Sequence, residues 1–129
     1  MRTRSYLVAV VLAGLACGVA CAAAAVLSKE HVYYGDAQQY SKPAEICART
    51  VFMAIPEYKE IVEKDIREDS ALYLMKLSEA NKTFTKVLGD YAKNNGYDLV
   101  CEVGHVEGAP NATEDIVKII EDSEEEKKP

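Results

Sequence analysis

From Tyr73 to Tyr91 apolar residues recur every seven places in two interleaved series: Tyr73, Ala80 and Val87, and four places behind them Leu77, Phe84 and Tyr91. That spacing sets six side chains on one face of a single helix, an a/d seam sustained for about three heptads. A helix over residues 71–94 is roughly 36 Å long at 1.5 Å per residue, a long rod for a chain of 129 residues. Gly89 in its interior weakens it slightly. Such a seam has to be covered, either by another helix of the same chain or by a second copy.

Less chain is available for this than the length suggests. Arg2 and Arg4 precede an unbroken apolar run from Tyr6 to Leu27, with small residues crowding its end at Ala20 and Ala22 to Ala25. A basic start, an apolar middle and an Ala-x-Ala exit make a secretory signal peptide, read over residues 1–25. Two alternatives stay open. At about 20 residues the run is long enough to cross a bilayer uncut, and Cys17 and Cys21 within it allow a lipid anchor. The remainder, about 104 residues, is one domain's worth, with no Trp and two Phe for a core. Without Arg2 and Arg4 it keeps 13 basic against 21 acidic residues, and the formal charge moves from −6 to −8. Nucleic acid and anionic membrane surfaces both need a basic footprint. Neither is expected as a partner, and membrane contact is left to an uncut signal or a lipid anchor.

Residues 26–43 are polar and read as a linker, with a short edge strand at His31–Tyr34 as the alternative. A first strand follows at 44–48, where Pro43 fits a strand's opening position. From Thr50 the rhythm is helical. Pro56 suits a first turn, and Tyr58, Ile61, Val62 and Ile66 form one stripe. Ser70 can cap the long helix, which ends at Asn94-Asn95-Gly96. A second strand is expected over 97–103, an extended piece over 105–107, and a last helix capped by Thr113 with Ile116, Val117, Ile119 and Ile120 on its apolar side. A charged tail over 123–129 closes the chain. The fold class is α+β: a small β-rich base, a protruding antiparallel helical hairpin over 50–94, and a C-terminal helix within 97–122. A base this thin is expected to need other copies to complete its core.

Catalytic chemistry has little support. His31 and His105 are the only histidines, and no nucleophile motif accompanies either. Asp98, Glu102 and Glu107 alternate near the second strand but match no Ca²⁺ loop. Asn81 and Asn111 open glycosylation sequons, although Thr113 of the second already has a capping role. Cys47 and Cys101 are the two cysteines beyond the signal. They either pair as a disulfide in an oxidising compartment or stand as small buried hydrophobes. No cofactor, metal or enzyme activity is expected.

The stretch KPAEICARTVFMAIPEYKEI (42–61) resembles the opening of the Skp/OmpH family of periplasmic chaperones, in Val51, Phe52, Pro56, Glu57, Tyr58 and Lys59. GYDLVCEVGHVEGAPNATEDIVKII (96–120) is similar to that family's closing segment. The resemblance implies a periplasmic trimer whose helical hairpins enclose unfolded outer-membrane or exported proteins without ATP. It departs from the family in its short hairpin, its acidic charge, and Cys47 where Asp is frequent. Leu72, Leu74 and Met75, near the hairpin tip and so least required for the base, are the expected client contacts, Met because its thioether adapts to varied surfaces. The alternative is a non-catalytic envelope module docking one folded partner through the hairpin.

Overall fold

The computed structural model describes residues 27–129, so the signal segment expected over 1–25 lies outside the described residues. Within them the chain is α+β, with one three-stranded sheet and four α-helices after a 3-10 turn at Lys29–His31. Strand β1 is Val32–Gly35, β2 is Pro43–Ile46 and β3 is Leu99–Glu102. The last strand in sequence is central: the order is β1-β3-β2, with β1 antiparallel and β2 parallel to β3. Leu99 accordingly faces Gly35 on one side and Pro43 on the other.

The segment 26–43, expected as a linker, thus supplies an edge of the sheet. The cause is tertiary. Val32-Tyr33-Tyr34-Gly35 lacks alternation and is a strand only because β3 offers it a ladder, with a bulge between Val32 and Tyr34. Gly35 is required there. Its φ is +89°, and a Cβ on it would stand 2.0 Å from the carbonyl oxygen of Asp98.

Parallel pairing of β2 with β3 demands a crossover. Three helices provide it: α1 (Ala48–Ala54), α2 (Pro56–Glu63) and α3 (Ala71–Asn95). Pro56 separates the first two, since it lacks an N–H and holds Ile55 before it extended, at φ −76° and ψ 124°. The expected α2 stripe runs on to Ile66, but the helix stops at Glu63. Asp65 turns left-handed at φ 47°, and the N–H groups of Ile66 and Asp65 return to the carbonyls of Ile61 and Val62 at 3.0 and 3.4 Å. Those are the two bonds of a Schellman stop. Gly96, at φ 70°, ends α3 in the same way, with the Tyr97 N–H on the Ala92 carbonyl at 2.8 Å.

The final helix, α4, is Thr113–Glu126, so most of the tail expected over 123–129 is helical. Thr113 is not its cap. Its hydroxyl accepts the Cys47 N–H at 2.9 Å, and Asn111 Oδ1 accepts the Thr113 N–H at 3.0 Å. Strands β2 and β3 are shorter than the expected 44–48 and 97–103, and residues 105–107 turn instead of extending.

One face of the sheet, with Ala44, Ile46 and Val100, packs on Val51, Phe84, Leu88 and Ile116 from the helices. The other face, with Leu99 and Cys101, is covered by Leu27, Val32, Tyr40 and Val106. The C-terminal part of the heptad seam points inward: Ala80, Phe84 and Tyr91 are buried in the chain's own core and Val87 packs on it, whereas Tyr73 and Leu77 stay half-buried outside it. A core is therefore complete in one copy. The expectation of a thin base left out the cover that 27–40 supplies to the second face.

Candidate functional site

The first turns of α3 leave this core and carry apolar side chains into solvent. Ser70 begins the helix: its Oγ accepts the Tyr73 N–H at 3.1 Å, and its hydroxyl donates to the Arg67 carbonyl at 2.7 Å. Just beyond it Leu72, Leu74 and Met75 are 49%, 61% and 62% exposed, and Val62 on α2 is 51% exposed. Full burial on α3 starts only at Ala80. All three expected contact residues therefore lie on one exposed segment. Val62 was expected inside the α2 stripe; α2 buries Ile61 and leaves its neighbour outside.

What holds this segment in place is polar. The Glu60 carboxylate takes Lys64 at 2.5 Å through Oε1 and Lys76 at 2.6 Å through Oε2, joining α2 to α3. The hydrogen bond from Lys64, then that from Lys76, holds the Glu60 carboxyl down at about 2, and the same contact raises Lys76. The helix start is thus capped and pinned while its apolar groups stay wet. Hydrophobic burial does not account for its order.

The other candidate residues have structural partners. Glu102 Oε2 accepts the Tyr33 hydroxyl at 2.7 Å and the Ala48 N–H at 3.1 Å, tying β1, β3 and α1 together. Burial, and then Glu102, raises the Tyr33 hydroxyl above the ordinary phenol range. Asp98 accepts the backbone N–H of Ser41 at 2.7 Å and of Lys42 at 2.8 Å, which lowers its pKa. Glu107 is exposed. His31 and His105 stack, ring centroids 4.0 Å apart at 18°. Among the described residues no group of three or more His, Cys, Asp or Glu could hold a metal ion.

Cys47 and Cys101 are free thiols, so the disulfide alternative is not realised. Cys101 lies in the covered sheet face, where burial pushes its thiol up to about 11, and its S–H meets the Ala44 carbonyl at 3.7 Å. Cys47 is half-buried at the start of α1 and accepts the Thr50 hydroxyl at 3.2 Å, which lowers its pKa. Two long-range ties escaped the sequence altogether: Tyr33 to Glu102, and Tyr91 to Asp115 at 2.8 Å. The periodicity of Tyr91 marked its ring but not its hydroxyl.

These features define an α+β protein with a mixed sheet and a wet apolar segment on its longest helix. No helix among the described residues is long and apolar enough to cross a membrane. Compared with protein-family models, with curated proteins and with solved structures, the chain matches none.

Proposed function

We propose that the chain is a non-catalytic binding module of the cell envelope. A protruding tip, made of the end of α2, the 64–70 loop and the first turns of α3, engages an apolar segment of one protein partner. The observation that carries this reading is the exposure of Leu72, Leu74 and Met75 on a helix start held by the Ser70 cap and the Glu60 ion pairs. Apolar side chains fixed in advance lose little freedom on binding, and each Å² they remove from water returns about 25 cal/mol. The test is photo-crosslinking from position 75 in intact envelopes. One discrete partner is expected, absent when the crosslinker stands at exposed Gln38 and lost in the Leu72→Ser, Met75→Ser chain. No discrete product from position 75 excludes the reading.

A second reading keeps the resemblance of residues 42–61 and 96–120: an ATP-independent periplasmic holdase for unfolded outer-membrane or exported proteins, working as a trimer. It needs several tips facing one hollow. A core completed in one copy removes the physical reason first given for sharing it, which is why this reading stands second. Stoichiometric suppression of aggregation of an unfolded outer-membrane protein supports it, and no protection at several-fold excess excludes it.

A further inference from the structure

Next to its core face, α3 has a bare flank. Leu74, Leu77, Asn81 and Thr85 line an open cleft of about 640 Å³, with Lys82 and Lys86 on its rim. Positions 74, 77, 81 and 85 share one helix face. In an acidic chain this rim is unusual, and its charges are unused. Among the described residues the ion pairs are Glu60 with Lys64 and Lys76, Arg67 with Asp69, and Lys127 with Glu124.

The complementary surface lies on α4. Ile116 and Ile120 hold this helix in the core, and Tyr91 holds Asp115 at its start. Its outer side leaves Ile119 43% exposed, with Asp122 and Glu126 exposed three and seven places on, again outside every ion pair above. The order apolar, acidic, acidic along α4 matches apolar, basic, basic along α3 when the two helices run in the same direction. Pairing Asp122 with Lys82 sets Glu126 against Lys86, four places on in each helix, and leaves Ile119 opposite position 79, two places from Leu77.

We propose that the outer stripe of α4 of one copy docks in the α3 cleft of a second copy. The two surfaces differ, so the contact is head-to-tail and either closes into a ring or extends as a chain. Opposite charges set its register and hasten encounter. The proposal does not rest on the tip reading, and its variants leave Leu72 and Met75 untouched.

Sedimentation of the protein produced from its full chain, over a dilution series, tests it. The unaltered protein is expected to associate. Lys82→Glu with Lys86→Glu, or Asp122→Lys with Glu126→Lys, is expected to weaken association by about tenfold or more, each attraction becoming a repulsion. An equal mixture of the two variants is expected to associate again, because each reversed stripe then finds its opposite. A monomer at every dilution overturns the proposal. So does association indifferent to both reversals, or a mixture that stays apart although each variant keeps its helical circular dichroism.

Discussion

The two halves of α3 share one backbone and live in opposite surroundings. From Ala80 to Ala92 the inner face meets the sheet, α1 and α4, and Ala80, Phe84, Leu88, Tyr91 and Ala92 are buried. From Ala71 to Glu79 no residue is fully buried, and order comes from the Ser70 cap and the Glu60 ion pairs. Apolar character is present in both halves, so composition does not separate them. Position along the helix does. Phe84, Leu88 and Tyr91 lie where the rest of the chain covers α3, and Leu72, Leu74 and Met75 lie before that cover begins. One half of the helix holds the molecule together, and the other can change without unfolding it.

The contrast can be broken most forcefully from the buried side. Leu88 is 1% exposed, so Leu88→Ala is expected to cost about 3 kcal/mol, the usual range for a truncation leaving a cavity, read from the urea midpoint. A cost near zero would mean that the inner half is not a core. At the stop before the tip, Asp65 sits in left-handed backbone at φ 47° without being Gly. Asp65→Gly is expected to raise stability by about 0.5–1 kcal/mol in the same melts. On the exposed segment, Met75→Ala is expected to change stability by less than about 0.5 kcal/mol; a larger loss would show that the tip packs on something.

The smallest effect concerns acid. The folded pKa of Glu60 is depressed from the ordinary 4.5 to about 2, so its contribution is present above pH 4.5 and fades as pH falls toward 2. Glu60→Gln is expected to melt slightly lower than the unaltered chain at neutral pH. That difference should close between about pH 4.5 and 2 in thermal melts. A constant gap across this window would show that the ion pairs do not tie α2 to α3.

Elements with a period of their own were legible from the amino acids. The α3 seam from Ala80 onward and Ile116, Val117 and Ile120 of α4 pack as their repeats predict, whereas Ile119, expected on the same apolar side, is exposed. Elements that exist only through distant neighbours were not. β1 has four residues and no alternation, and its ladder partner lies more than sixty residues away. Preferring a linker over the alternative of an edge strand at His31–Tyr34 left this cover out of the base. The role of Thr113 was misjudged for the same reason, since the donor it serves is the N–H of Cys47, 66 residues earlier. At the candidate site, Leu72, Leu74 and Met75 were singled out by their place near the hairpin tip, and all three are exposed. The clasp from Glu60 to Lys76 was not legible, because it joins two helices across the 64–70 loop.

β3 sits between two strands that never touch each other. A chain that emerges N-terminus first therefore presents β1 and β2 as lone ribbons, with nothing to ladder against until Leu99–Glu102 has cleared the exit. Three helices can coil in the meantime, since their bonds are local, but the sheet must wait for its keystone. The sheet of this protein waits on its penultimate element, and a nascent chain halted before residue 99 lacks the strand that joins the other two.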